Sequence, residues 1–473
     1  MKNLFITLMA LFFATQLFAQ EKKWSLQDCI KHAYDNNIQV KQQALSLKNL
    51  ELDVKQSKMD MLPTLNGAVG HDYSWGKSVD PFTNSFATDR IQGNSFSANS
   101  SVTLFNGFRK RNMREKRALA YEGGKMNSDK LLDDIGLQIA SQYLNVLYSI
   151  ESLEIAQNQI DITKQQVERT KKMVEAGTIA KGNLLNVEAQ VATEQLQVVL
   201  AQNSLDVNYL MLAHLLDFPN ADGFEIEKPD VALDNYMMTF EKASAVYQFA
   251  LLNQPNIKSA EIDVQVAEKD IQIAKSSLTP SLELSGQIRS GYSEANKEGA
   301  DYVAVTQEIG YTQNNKIPVY TDTQIPSTYD PKGFSDQLSD NLSKYVGVSL
   351  RIPIFNGLAA KTQLSKAKLG RENSLYVLEL EKQNLRKTIQ QAYADAVAAK
   401  NKNQASAQKL LATKEAFMYA EKRFNVGMIN FVEYNEAKKE FTNSKSELLR
   451  SKYEYLFKKT VLDFYMGKAL SIN

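Results

Sequence analysis

Apolar and polar residues follow two different periods along this chain, and each change of period marks an element. Residues 36–62 are rich in Gln, Lys, Leu and Ala and hold no glycine or proline, which predicts a helix. Pro63 closes it, because proline lacks the N–H donor and clashes with the preceding turn; Pro280 closes a second helix in the same way. Strict alternation follows. In 281–292, Leu282, Leu284, Gly286, Ile288 and Tyr292 share one face, and Ser281, Glu283, Ser285, Gln287 and Arg289 share the other. The segments 95–104 and 344–354 alternate likewise, while 64–73 is weaker because His71 falls on its apolar face. Alternation over ~10 residues is what a transmembrane strand shows, apolar side to lipid and polar side to lumen. A soluble half-buried sheet shows it too, so the pattern alone leaves both readings open.

The period then lengthens. Residues 108–175 and 358–425 contain no proline and read as long helices. A heptad stripe runs down the first through Leu132, Ile139, Val146, Leu153, Ile160, Val167 and Val174. The second keeps Ile389, Ala396, Leu410, Phe417 and Phe424 in register, with Asn403 as the exception. This predicts coiled-coil packing of helices ~100 Å long. Gly177 and Gly427 sit where C-caps belong, and helices at 182–217 and 430–467 return.

The plan occurs twice. An offset of 217 residues brings Asp53 onto Asp270, Pro63 onto Pro280 and Leu65 onto Leu282. An offset of 250 brings Phe105-Asn106-Gly107 onto Phe355-Asn356-Gly357, Lys116 onto Lys366 and Gly177 onto Gly427. The expected organisation is a first repeat at 24–217, a linker at 218–240, a second repeat at 241–467 and a tail at 468–473. The offsets differ by 33 residues, most of which fall in the segment 293–342, read as a long loop; 74–94 is its shorter counterpart.

Composition narrows the function. Lys+Arg number 55 against 54 Asp+Glu, so no basic excess points to nucleic acid. The single cysteine, Cys29, allows no intramolecular disulfide and reads as a small buried helix residue. Lys2 followed by the apolar run Leu4–Ala19 predicts a signal peptide over 1–20, cleaved near Ala19 or Gln20, with no lipid-anchor cysteine after it. No later apolar stretch reaches spanning length, so any membrane span is built from strands. Four strands cannot close a barrel in lipid. Eight from a dimer leave an interior filled by side chains, so a duct favours twelve from a trimer. The three histidines are scattered, no Cys/His ligand spacing occurs and no phosphate-binding loop is present. No enzyme activity, cofactor or metal is expected.

Three sets of short motifs recur in the same order. Leu62-Pro63-Thr64-Leu65 and Thr279-Pro280-Ser281-Leu282 mark the helix-to-strand joints. Val102–Gly107 and Ile352–Gly357 mark the strand-to-helix joints, and Val174–Gly177 and Phe424–Gly427 the hairpin tips. Over nearly the whole chain beyond residue 20 the pattern resembles the TolC family of outer-membrane efflux proteins. The resemblance implies a mainly α protein with β: a long α-helical coiled-coil barrel in the periplasm below a transmembrane β-barrel, with four strands per protomer and twelve in a trimer. It implies the exit duct of a tripartite efflux or type I secretion system. Its partners would be a periplasmic adaptor, an inner-membrane pump of RND, ABC or MFS type, and outer-membrane lipid. It also implies an entrance closed at rest.

Candidate functional residues follow from the same frame. Glu433 and Glu436 stand three apart on the returning helix and share a face. The resemblance places acidic residues of the periplasmic gate at these positions, and three copies of each would favour cations. The first repeat has Asn183 and Asn186 there instead, and a plain solvated acidic face is the competing reading. Gly177, Thr178, Gly427 and Met428 are the candidate adaptor-docking tips. Glu283, Arg289 and Arg351 are the candidate lumen charges, and Pro63, Pro280, Gly107 and Gly357 form the joints. A periplasmic adaptor or a surface coiled-coil protein is the rival class. An adaptor would show one hairpin with an anchor, and a structural coiled coil leaves the four strands unexplained.

Overall fold

The protein is described by a computed structural model over residues 23–79, 84, 86–87, 90–219, 223–229 and 240–470. The predicted signal peptide, much of the 218–240 linker and the end of the tail lie outside these residues. In chain order the elements are α1 (Leu26–Asn36), α2 (Ile38–Met59), β1 (Thr64–Ser74), β2 (Ser78–Val79), β3 (Phe86–Ala87) and β4 (Ile91–Phe105). There follow α3 (Arg109–Glu175), α4 (Lys181–Leu215), α5 (Ala243–Asn253), α6 (Pro255–Ser276), β5 (Ser281–Ser293), β6 (Lys297–Tyr311) and β7 (Pro318–Pro331). The chain closes with α7 (Phe334–Asp340), β8 (Ser343–Arg351), α8 (Ala359–Asn425) and α9 (Phe431–Tyr465). The long helices α3 and α8 are both 67 residues, and the returning helices α4 and α9 are both 35.

Two compact units emerge. The first holds the residues up to Glu51, Leu119–Val266 and the chain from Glu372 onward. Its main core joins Ile139, Tyr143, Val146 and Leu147 of α3 to Leu212 of α4, to Leu449, Tyr453 and Leu456 of α9, and to Cys29 and Ala33 of α1. Each of the Ile, Val and Leu side chains contributes roughly 1.5–3 kcal/mol when fully buried. The Tyr143 hydroxyl lies 2.6 Å from the Glu227 carbonyl oxygen. It thereby pins the segment in which the Trp24 N–H donates to Glu225 O and the Glu227 N–H donates to Trp24 O. Asn403, the break in the heptad stripe, is buried and donates to Ser451 Oγ at 3.2 Å. Its polarity is satisfied across the α8–α9 seam.

The second unit holds Leu52–Ala118 and Ala267–Arg371. Its sheet is antiparallel with strand order β1-β4-β5-β8. The register stacks Leu65, Ser100, Gly286 and Val346 in one row, and Val102, Leu284 and Val348 in the next. One face is therefore mainly apolar, and it is uncovered: Leu65, Val69, Val346, Val348 and Leu350 are all exposed. β1 and β8 are the edges, each with one hydrogen-bonded neighbour among the described residues. His71 does not break β1, because its Nδ1 lies 2.7 Å from Asn94 Oδ1 across the strand pair.

The helix expected over 36–62 is α2, and a separate short helix, α1, precedes it; Asn37 divides the two, its Oδ1 accepting from the Gln39 N–H at 2.9 Å at the start of α2. Two sequence expectations change. The long loop 293–342 is instead mostly structured, holding the two-stranded ribbon β6–β7 and the short helix α7. The shorter loop 74–94 carries the small β2–β3 pair.

Candidate functional site

At each hairpin tip a glycine lets the helix stop. Gly177 (φ +72°) and Gly427 (φ +76°) occupy the left-handed region. The Thr178 N–H donates to Met173 O and the Gly177 N–H to Val174 O; Met428 to Arg423 and Gly427 to Phe424 repeat the pattern. This double bond satisfies the orphan carbonyls of the helix end. No atom would meet a Cβ at either glycine, so backbone conformation alone selects it. Val426, Met428 and Val432 stand exposed around the second tip.

Beneath the tips, Val187 of α4 packs with Ile429, and with Phe431 and Tyr434 of α9. Phe424 stacks on Tyr434 at 4.8 Å, and Phe417 on Phe441 at 5.5 Å. Burial pushes the Tyr434 hydroxyl up to about 12, keeping it neutral. This cluster fixes the start of α9, and with it Glu433 and Glu436.

Glu433 is held at its backbone and at its carboxylate. Asn430 Oδ1 accepts from the Glu433 N–H, and Asn430 Nδ2 donates to Glu433 Oε1, both at 2.9 Å. The helix N-terminus favours the negative charge there. The equivalent position before α4 is Ala180, which makes no side-chain cap. Glu433, Glu436 and Glu440 line one open groove with Thr413, Ala416 and Lys439. Farther along the hairpin, α8 neutralises α9: Lys402 pairs with Glu454 at 2.7 Å, and Lys409 with Glu447 and Glu440 at 3.1 Å. The next heptad position is Ala416, an uncharged gap before Arg423. Neither Glu433 nor Glu436 has a cation within 4 Å among the described residues.

The remaining candidates fall in two groups. Glu283, Arg289 and Arg351 lie on the polar face of the sheet, opposite Ser349, Ser343 and Ser281 respectively. At the joints, Gly107 (φ +63°) is pressed against the second helix-to-strand joint: a Cβ there would lie 1.9 Å from Thr279 Oγ1, next to Pro280. Gly357 (φ +62°) has the same conformation but open space around it. Gly107 thus meets the Pro280 joint, while within the chain Gly357 meets no counterpart.

One buried polar cluster has no local signature in the sequence. Lys438 of α9 lies 3.5 Å from Glu194 of α4, and both contact Thr163 of α3. Gln159 and Gln190 also donate to the Glu194 carboxylate, at 3.1 and 3.0 Å. Lys438 and Glu194 are 244 residues apart, and on their own helices both read as ordinary polar positions.

A family model for "Outer membrane efflux protein" matches residues 29–216 and 246–468. The chain belongs to the outer membrane efflux protein family. It is 22% identical over 452 residues to the outer membrane protein TolC of Escherichia coli, covering 92% of this chain and 82% of that one. Among solved structures it superposes on CusC with a TM-score of 0.75 at 17% identity, covering 96% of each chain. On VceC of Vibrio cholerae the TM-score is 0.70 at 16% identity, covering 94% of this chain and 96% of that one. Membership makes this an outer-membrane efflux channel whose helices lie in the periplasm, in a family of channels. No helix among the described residues is long and apolar enough to cross a membrane.

Proposed function

We propose that three copies of this chain close a twelve-strand barrel and a helical duct. The duct is opened by a periplasmic adaptor and energised by an inner-membrane pump of RND, ABC or MFS type. The observation that carries this reading is an unequal treatment of equivalent contacts. Within one chain, Lys116 pairs with Asp270 at 2.6 Å and Gly107 seats against Thr279. The offset partners are Lys366 with Asp53 and Gly357 with Leu62, and within one chain Lys366 has no carboxylate partner and Gly357 no neighbour among the described residues. Leu369, on the same helix as Lys366, is exposed. A head-to-tail ring supplies the missing partners from the next copy, and it also pairs the free edges β8 and β1, which lipid does not tolerate open.

In that ring Glu433 and Glu436 become two rings of three carboxylates, neither paired with a cation among the described residues of its own chain, a cation-selective constriction at the periplasmic entrance. Glu283, Arg289 and Arg351 face the barrel lumen, since on the lipid side each charge would cost ~2–4 kcal/mol near the midplane. The exposed tips at Gly177–Thr178 and Gly427–Met428 receive the adaptor. Native mass spectrometry of the detergent-extracted protein tests the assembly: a trimer is expected, and a monomer or dimer overturns it.

A further inference from the structure

Among the described residues the ribbon β6–β7 is far longer than the β2–β3 pair at the corresponding place in the first half of the chain. It runs for thirteen residue pairs from Lys297↔Pro331 to Tyr311↔Pro318. One side carries Val303, Val305, Val319 and Ile325 with Thr321 and Thr323, and all four apolar side chains are exposed. A lone two-stranded ribbon is marginally stable in water, and a standing apolar face marks a contact surface.

The root of the ribbon is fixed. Gln337 of α7 is fully buried and makes three hydrogen bonds there. Its Nε2 donates to Ser293 O at 3.0 Å and to Lys332 O at 2.9 Å, while its Oε1 accepts from the Ser293 N–H at 3.0 Å. The Lys332 N–H donates to Asn296 O at 2.8 Å, closing the two ends together. The apolar face therefore leaves the sheet in a set direction.

We propose that this face packs on a second copy of the chain, against the patch formed by Trp75, Val79 and Phe86 beyond its β1. The proposal rests on the ring described above. Ser74, Ser293 and Ser343 lie at the same end of the sheet, with β1 and β8 on opposite edges. When β8 of one copy meets β1 of the next, the ribbon root stands two strand spacings, ~10 Å, from the neighbour's patch. Trp75, Val79 and Phe86 are all exposed within one chain. Charge selects this patch over a neighbouring ribbon. The ribbon carries Glu298, Asp301, Glu308, Asp322 and Asp330 against Lys297 and Lys316, so two ribbons repel. The patch presents Lys77, whose ammonium lies 5.3 Å from the Phe86 ring.

The test is cross-linking of the detergent-purified full-length protein carrying Val303→Cys and Phe86→Cys, with a bis-maleimide of ~10 Å reach. Wild type, whose Cys29 is buried, is the control. Covalent dimers and trimers are expected from the double variant and not from either single variant. Linkage only within one chain, or none, overturns the contact. A second variant, Val303→Ser/Val305→Ser/Ile325→Ser, alters only exposed side chains. It is expected to shorten the trimer's dissociation half-life by about tenfold or more. An unchanged half-life in a trimeric wild type overturns the contact and leaves the ring standing, whereas a monomeric wild type overturns both.

Discussion

The Lys438 ammonium lies 3.5 Å from the Glu194 carboxylate, and only 4% and 7% of the two side chains is exposed. The pair ties α9, which carries the acidic groove, to α3 and α4 of the first hairpin. Burial pushes the Lys438 pKa down, and Glu194 opposes the shift. Lys438→Met strands a buried carboxylate and is expected to cost roughly 3–5 kcal/mol, while adding Glu194→Gln recovers most of it. Thermal unfolding of the two variants checks this, and additive effects would contradict the coupling. The pH sign follows from the direction of the shift. Between its lowered folded value and the ordinary 10.5, the unfolded chain holds the extra proton, so this lysine adds stability as pH rises through that window.

Asp133 behaves in the opposite sense. Burial, then the charges of Asp129 and Asp134, raise it from 3.8 to about 6, with Lys130 opposing. The folded state holds the extra proton between those values, so stability is lost as pH rises from about 4 to about 6. Asp133→Asn is expected to stabilise the protein by about 1 kcal/mol at pH 7.5, allowing for partial solvent screening, and to do nothing near pH 4. Unfolding midpoints at the two pH values check the difference.

The two joint glycines should respond differently to the same change. Gly107→Ala drives a Cβ into Thr279 and also carries the cost of its positive φ, so it should cost several kcal/mol. Gly357→Ala carries only the conformational cost within one chain, about 1–2 kcal/mol. Any further loss confined to the assembled form would place a neighbour against Gly357. The yield of folded protein and its oligomer distribution separate the two effects.

Lys366→Asp is expected to weaken the contact between copies, and Asp53→Lys added to it to restore part of the loss. Asp53 also serves Arg117 at 2.9 Å, so restoration is incomplete. Each exposed pair is worth at most about 1 kcal/mol, repeated at three interfaces. The temperature at which the trimer dissociates on a gel reports it; no change in either variant would remove this contact from the ring.

How much could be read from the sequence varied with the range of the interaction. The four strands of the sheet and the long helices came from local periodicity and from Pro63, Pro280, Gly177 and Gly427, each of which acts on its own turn. Asn403, a flaw in the heptad pattern, proved to be a buried polar contact with Ser451. The ribbon escaped notice because Asp301, Pro326 and Gly310 interrupt the alternation around Val303 and Val305, and Pro318, Pro326 and Pro331 argue against strand in a one-dimensional reading. The Lys438–Glu194 pair had no local signature, since its meaning depends on which helices meet. The acidic pair Glu433 and Glu436 is legible as a shared face, but the gap that Ala416 leaves in the basic row is visible only once α8 and α9 are laid side by side.

Single-channel conductance in planar bilayers, comparing wild type with Glu433→Gln/Glu436→Gln, tests the central claim most directly. Discrete cation-preferring channels are expected from the wild type, mostly closed at rest, with the cation preference falling in the variant. Folded, membrane-inserted protein that never conducts, or conducts with an anion preference indifferent to the substitutions, would contradict the account.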